Sequence, residues 1–105
     1  MKGAIVLVSF PFSDLSGKKV RPACILADDG RDVTLAFISS VIKNQGPFDL
    51  VLKPDKTNNL KKESLLKTSK IATLSKSIIH GKIGYLKPET VSQMNVLLIK
   101  YLKLS

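Results

Sequence analysis

The side chains with the widest chemical range in this sequence are its single histidine and its single cysteine. His80 has no second histidine, and no cysteine or acidic cluster stands at metal-ligand spacing from it. Cys24 lies in the apolar run ACIL and cannot form an internal disulfide. We therefore predict a turn or surface histidine and a buried thiol, and we expect neither a metal nor another cofactor.

The glycines give no sign of a phosphate-binding loop. Gly81 and Gly84 occur in HGKIG, which leads directly into no helix and matches neither the P-loop nor the dinucleotide fingerprint. We predict that both are turn glycines.

Net charge is a stronger functional signal than any of these motifs. The 105 residues include 17 Lys and Arg against 8 Asp and Glu, which gives a net charge of +9 and a pI near 9.9. Such a balance favours a polyanionic partner, with nucleic acid first. All but two of the cations are lysine, so solubility alone explains many of them. Charge supports binding and does not by itself support catalysis.

β-type segments separated by turn residues fill most of the chain. AIVLVSF, VRPACILA, VTLAFISS, DLVLK and SLLKTSKIATL predict about five short strands. The turn cluster DDGRD joins the second and third, so these two should form an antiparallel hairpin. The lysine-rich PDKTNNLKKE is predicted to be a surface loop or a short helical turn.

The end of the sequence predicts a helix. Pro88 suits a first helical position, Glu89 favours the positive helix end, and Lys100 and Lys103 complement the other end. Apolar residues recur at helical spacing; they are Val91, Met94, Leu98, Tyr101 and Leu102. The Met94 and Tyr101 positions should contact the core. The elements together predict one domain over residues 1–105, a small antiparallel β-barrel with a C-terminal helix.

Length and hydropathy set the expected environment. We expect no signal peptide, and no apolar run approaches the roughly 20 residues that a membrane-spanning helix needs. A cytoplasmic protein with no membrane contact is therefore expected. Because so small a domain buries little of its surface and 44% of the residues are hydrophobic, a dimer would suit the composition.

Three segments together resemble the MazF/PemK family of toxins. AIVLVSFPFSDLSGKKVRPACIL has the family's order of strand, polar loop and Arg-Pro pair, LAFISSVI resembles its third strand, and SKIATLSKSIIHGKIGYLKPE resembles its last strand and helix entry. The resemblance implies an SH3-like barrel of the CcdB/MazF type and a homodimer inhibited by an antitoxin with an acidic segment. It also implies metal-independent cleavage of single-stranded RNA to 2′,3′-cyclic phosphate and 5′-hydroxyl ends.

By this resemblance, Arg21 and Ser39 are the expected catalytic residues. The Arg21 guanidinium matches phosphate oxygens and would stabilise the charge that builds up at phosphorus. A guanidinium holds its proton too tightly to be a good base, so charge stabilisation ranks above proton transfer. Ser39 stands where the family usually has threonine and would donate a hydrogen bond. The alternatives are a surface salt bridge for Arg21 and a turn-capping hydroxyl for Ser39.

Further residues are expected to support the site or bind RNA. They are Asp14, Ser16, Lys18 and Lys19 in the loop before Arg21, Ser40 after Ser39, and the two lysines Lys70 and Lys76. Lysines at such positions would contact phosphates without reading bases. Ala72 and Ile78 replace arginines of many family members, so no cleavage sequence is transferred.

Two other classes of function remain open from the sequence. One is a CcdB-like toxin that binds DNA gyrase and cleaves nothing. In that group the activity depends on the end of the C-terminal helix, and the helix here ends in YLKLS, which has no distinctive residues. The other is a basic RNA-binding barrel without catalysis. Loss of Arg21 would abolish cleavage in a ribonuclease and would weaken binding only gradually in a barrel of this kind.

Overall fold

A computed structural model describes residues 1–10 and 19–105, apart from the side chains of Phe10 and Lys19. The strands are β1 (Ala4–Phe10), β2 (Lys19–Asp28), β3 (Asp32–Ser39), β4 (Asp49–Leu52), β5 (Ser64–Ser75) and β6 (Ile79–Tyr85). One turn of 3-10 helix (Lys76–Ile78) links β5 to β6, and helix α1 (Pro88–Leu102) follows. The mainly β fold with a C-terminal helix is as predicted, with one strand more than expected.

All strand pairs are antiparallel, in the order β4-β5-β3-β2-β1-β6. The predicted hairpin of β2 and β3 is confirmed, with Cys24 opposite Ala36. Its turn is held by carboxylates: Asp28 Oδ1 accepts from Gly30 N at 2.9 Å, and Asp29 Oδ1 accepts from Asp32 N at 2.7 Å. A chain reversal leaves backbone N–H groups without backbone acceptors, and these carboxylates accept hydrogen bonds from them.

The sheet curls strongly but does not close. Only residues 76–78 separate β5 from β6, so four Cα steps of 3.8 Å allow the strand ends to be at most about 15 Å apart. Four strand spacings in a flat sheet would separate the same ends by about 19 Å. The sheet must therefore bend around one face, while the order of pairing leaves β4 and β6 as its edges. The predicted barrel is thus an open, curled sheet.

Two apolar clusters lie on opposite faces of the central strands. Because side chains alternate along a strand, neighbouring residues of β2 enter different clusters. Cys24 packs on the side of α1 with Met94 and Leu98, whereas Ala23 packs on the concave side with Val8 and the β5–β6 linker. The Cys24 thiol is buried as predicted, and burial raises its pKa to about 12.

β6 corrects the prediction made for HGKIG. His80, Gly81 and Gly84 lie within this strand and not in a turn, although His80 is exposed as expected. Gly84 permits a close backbone approach, since a Cβ there would overlap the Thr57 carbonyl oxygen and lie 2.7 Å from the Asn58 carbonyl oxygen. Gly84, which we predicted to be a turn residue, therefore marks the place where a loop distant in sequence packs against a strand.

Helix α1 agrees with the prediction except near its end. Pro88 begins the helix, and Lys103 ends it in a left-handed conformation with φ of 55°. Met94 and Leu98 are buried, whereas Tyr101 is 39% exposed, with its ring edge-on to Phe48 at 5.2 Å. Tyr101 is therefore not the core residue that its spacing predicted. Within the described residues, no helix is long and apolar enough to span a membrane.

Gly84→Ala should destabilise the fold by about 1–3 kcal/mol, since the added methyl group must displace backbone. Gly81→Ala is the matched control in the same strand, because a Cβ at that position meets nothing within 4 Å. Denaturant unfolding of the two variants and the wild type measures both free energies. Equal stability of the two variants would contradict the close approach at Gly84.

Candidate functional site

Arg21 and Ser39 lie on neighbouring strands at the same end of the sheet. Ala23 of β2 pairs with Phe37 of β3, and this register, continued for two residues, brings Arg21 opposite Ser39. Strand alternation puts both on the concave face. Arg21 is exposed and Ser39 is half-buried. The two expected catalytic residues therefore lie on one face, at the same end of two neighbouring strands.

The Ser39 hydroxyl is fixed by the chain that follows it. Its Oγ accepts a hydrogen bond from Val41 N at 3.1 Å, the turn-capping contact that was the alternative interpretation of this serine. A hydroxyl that accepts one bond still has its own proton to donate. Ser39 thus combines a structural contact with a donor of fixed position, so the two interpretations are compatible.

A depression of about 260 Å³ lies where these strands end. It is lined by Val20, Arg21, Pro22, Ile38, Ser40 and Ser64. Ser40 therefore joins Arg21, as expected. Ser64 was missed by the sequence analysis because only the pairing of β5 beside β3 places it there. Its Oγ donates to the Lys62 carbonyl at 2.9 Å, which holds the start of β5 against the loop before it.

Lys70 lies in an irregularity of β5. Ile71 pairs with Ala36 and Lys67 with Phe37, so residues 68–70 have no partner on β3. Burial would raise the pKa of the nearby Asp49 carboxyl, but the Gly46 N–H and the Lys67 ammonium at 3.0 Å outweigh it and lower this pKa. Lys70 adds to the same field and is exposed, whereas Lys67 is held by Asp49.

The remaining candidates either lie away from this site or have no described side chain. Lys76 Nζ lies 2.9 Å from Asp28 Oδ1, at the turn that forms the other end of the β2–β3 hairpin. Lys19 begins β2, but its side chain is not described. Asp14, Ser16 and Lys18 lie outside the described residues. Among the described side chains, no three His, Cys, Asp or Glu residues are grouped so that they could hold a metal.

Comparison with known families identifies the chain. Residues 1–102 match the family model described as the PemK-like, MazF-like toxin of type II toxin-antitoxin systems. The chain belongs to this toxin family. The match spans nearly the whole sequence and confirms the resemblance first noted in three of its segments. No curated protein matches this toxin.

Solved structures share the toxin's fold at low sequence identity. The Mycobacterium tuberculosis toxin MazF-mt6 aligns with a TM-score of 0.79 and 18% identity, covering 97% of this chain and 98% of its own. A mycobacterial endoribonuclease in complex with its cognate antitoxin gives 0.77 and 19%, with coverage of 100% and 96%. MazF of Deinococcus radiodurans, in a MazE–MazF structure, gives 0.78 and 18%, with coverage of 99% and 96%. Identities this low establish the fold alone.

In this toxin the Asp28 carboxyl should titrate below its ordinary pKa of 3.8, first because Lys76 donates a hydrogen bond and then because Gly30 N does. Lys76→Gln should raise the pKa, whereas Lys70→Gln makes the same charge change without moving it. Because folding lowers this pKa, the ionised carboxyl stabilises the folded state at pH values above 3.8. This stabilisation is lost as the pH falls through the lowered pKa. Carboxyl ¹³C NMR titration measures the shift. An unchanged pKa in Lys76→Gln would return Lys76 to the candidate phosphate contacts.

Proposed function

We propose that this toxin is an endoribonuclease that cuts single-stranded RNA without a metal ion, leaving a 2′,3′-cyclic phosphate and a 5′-hydroxyl. The observation that supports the proposal is the position of Arg21 and Ser39 on one face where β2 and β3 end, with Ser40 lining the same depression as Arg21. A cation and hydroxyl donors on adjacent strands suit a phosphate whose negative charge increases during reaction. Membership of the toxin family points to the same activity.

The proposed reaction needs charge stabilisation more than any other contribution from these residues. The 2′-oxygen attacks phosphorus, the bond to the 5′-oxygen breaks, one proton leaves the 2′-hydroxyl and one reaches the leaving oxygen. Arg21 would bind the non-bridging oxygens of this phosphate through its planar fork of donors. The Ser39 hydroxyl would donate a further bond to the same group. Lys70 and the loop before Arg21 would hold flanking phosphates.

Arg21→Ala should slow RNA cleavage by roughly 10²–10³-fold, as loss of a preorganised donor does in other enzymes. Arg31→Ala is the matched control, because Arg31 is the other arginine and lies in the turn at the far end of the same hairpin. Ser39→Ala should also slow cleavage, and Ser39→Thr should preserve it because the hydroxyl remains. Purified protein is incubated in EDTA with a long single-stranded RNA, and the fragment ends are mapped.

Each outcome of that assay selects among the classes of function. Discrete cuts ending in cyclic phosphate, lost in Arg21→Ala and kept in Arg31→Ala, would support the proposal. RNA that stays intact with wild-type toxin across varied sequences would contradict it and favour gyrase binding. Binding without cleavage, weakened slightly and equally in both arginine variants, would favour the non-catalytic RNA-binding barrel.

We also propose that an antitoxin inhibits this toxin through an acidic, flexible segment that covers Arg21. A net charge of +9 favours such a segment, which would become ordered on binding. Two of the structural neighbours were solved with their own antitoxins, which supports inhibition of this general kind.

A second copy of the chain is the proposed occupant of a groove beside α1. The groove has a volume of about 480 Å³ and apolar walls that include Leu26, Ile71, Ile99 and Leu102, and Lys2 is the one charged residue among the described residues that line it. Two copies that each carry +9 repel one another, and the repulsion is weakest where the contact surface carries few charges. The interface of a two-fold dimer is self-complementary, so one apolar patch serves both copies.

Asn95 in the same groove supports a self-complementary contact. Its Oδ1 is buried and accepts no hydrogen bond from the residues that the structure describes. A buried acceptor without a donor costs about 1–3 kcal/mol. A side-chain amide has both a donor and an acceptor, so two copies of Asn95 near a two-fold axis could satisfy each other.

Ile99→Lys should convert the dimer into a monomer, because it places a charge in the apolar groove of both copies. Val96→Lys is the control, since Val96 is 50% exposed on the same helix against 40% for Ile99 and does not line the groove. Light scattering after size exclusion reports the mass, which should be near twice 11.5 kDa for the wild type and for Val96→Lys. A monomeric wild type, or dissociation of both variants alike, would refute this interface.

A further inference from the structure

The chain leaves the sheet directly after Ser39 and returns to it at Asp49. We call residues 40–48, which connect these two, the crossover loop. Strands β3 and β4 are both antiparallel to β5 and lie on either side of it, so they run parallel to each other. A connection between parallel strands cannot be a simple hairpin. The crossover loop therefore has to pass β5 before β4 begins.

The first residues of the crossover loop are bonded to the candidate site. Val41 N donates to Ser39 Oγ at 3.1 Å, so the position of Val41 constrains the direction of the Ser39 hydroxyl. Ser40, which lies between these two residues, lines the depression beside Arg21. A shift of this loop would therefore be felt at both serines.

The other end of the crossover loop is anchored to β5 by Thr68. The Thr68 hydroxyl donates to the Phe48 carbonyl at 2.6 Å, and Thr68 N donates to the same oxygen at 3.2 Å. Thr68 is fully buried, and hydrogen bonds in such surroundings are stronger than hydrogen bonds exposed to water. One buried residue thus holds the last carbonyl of the loop with two donors.

Further contacts hold the same end of the loop. Asp49 Oδ2 accepts from Gly46 N at 2.8 Å and from Lys67 Nζ at 3.0 Å. The ring of Phe48 packs edge-on against Tyr101 of α1. The crossover loop is therefore tied to the sheet and the helix at one end and to Ser39 at the other.

We propose that Thr68 is a positioning residue for RNA cleavage, acting through the crossover loop on the Ser39 hydroxyl, an inference that rests on the proposed ribonuclease activity. Thr68 is buried and does not itself touch RNA. It holds the Phe48 carbonyl, and with it the loop whose Val41 N–H orients Ser39. A donor that is oriented before the substrate arrives needs no reorganisation during the reaction. Loss of the anchor should therefore slow the chemical step.

The alternative for Thr68 is a core threonine that only satisfies a nearby carbonyl and supports the whole fold. Its bonding favours the local role. Both its hydroxyl and its N–H donate to the crossover loop, and residues 68–70 have no partner on β3. This part of β5 is thus attached to the loop and not to the central hairpin.

The test begins with Thr68→Val, which removes the hydroxyl and keeps the shape of the side chain. Its methyl group would lie 2.6 Å from the Phe48 carbonyl oxygen, where carbon needs about 3.3 Å, so the end of the loop must shift. Thr68→Ser keeps the hydroxyl and should restore the wild-type behaviour. Thr73→Val is the matched control on the same strand, because the Thr73 hydroxyl lies 2.7 Å from that of Thr34, far from Ser39 along β3.

Amide hydrogen exchange followed by NMR tests the anchor without RNA. In Thr68→Val the Val41 and Gly46 amides should exchange roughly tenfold faster than in the wild type, about the effect of one lost hydrogen bond. The amides of the β2–β3 hairpin should be unchanged. Thr68→Ser and Thr73→Val should leave the Val41 and Gly46 amides at their wild-type rates.

Cleavage of single-stranded RNA tests the role in the reaction. Thr68→Val should lower kcat by roughly tenfold, since small displacements at a distance disturb a reacting geometry, and should keep KM within about twofold. Thr68→Ser and Thr73→Val should keep both constants within about twofold. With Ser39→Ala there is no hydroxyl to orient, so adding Thr68→Val should change kcat by less than about twofold.

Three results would overturn the inference for Thr68 alone. Thr68→Val that cuts RNA as the wild type does would exclude a role in cleavage. An equal fall in kcat with and without the Ser39 hydroxyl would make Thr68 a residue of the fold only. A rise in KM at constant kcat would assign the crossover loop to RNA binding. RNA left uncut by the wild type is a separate outcome, which would refute the ribonuclease proposal itself and the role of Thr68 with it.

Discussion

The register between β2 and β3 is the constraint on which the rest of the molecule depends. Both faces of this hairpin are buried, one beneath α1 and the other on the concave side of the sheet. A slip of one residue would exchange the two faces and move Cys24 and Ala23 into each other's cluster. The Asp29 turn fixes the register at one end of the hairpin, and Arg21 and Ser39 lie at the other. The packing of the core and the positions of these two candidate residues are thus set by the same pairing.

Local signals in the sequence were sufficient for much of this fold. Alternation of apolar residues predicted five of the strands, DDGRD predicted the hairpin turn, and Pro88 predicted the start of α1. The remaining strand was missed because Gly81 and Gly84 resemble turn residues. Position 84 must lack a side chain because it contacts a loop about 26 residues away in the sequence, and no local pattern indicates this contact. The exposure of Tyr101 has a similar cause, since helical spacing cannot tell where the sheet beneath a helix ends.

In the candidate site, too, local sequence predicted some residues, and others depend on how the strands pair. Arg21 and Ser39 were found through a family resemblance carried by short segments, and Ser40 follows from its place beside Ser39. Ser64 was not found, because only the pairing of β5 beside β3 brings it to the depression that Arg21 lines. Net charge was a coarse guide as well, since Lys67 and Lys76 form ion pairs with aspartates, whereas Lys61 and Lys62 form none within the described part of the chain. Which lysines face a ligand depends on the positions of the few acidic residues.

The packing of residues 53–63 against β6 bears on the order in which a ribosome makes the chain. This loop is synthesised before Ile83 and Tyr85, with which it forms hydrogen bonds: Asn59 Nδ2 donates to the Ile83 carbonyl, and Tyr85 N donates to the Thr57 carbonyl. A nascent chain that stops short of β6 contains Arg21 and Ser39 but lacks these bonds. Vectorial synthesis therefore leaves the loop without its attachment to the sheet until most of the chain has been made.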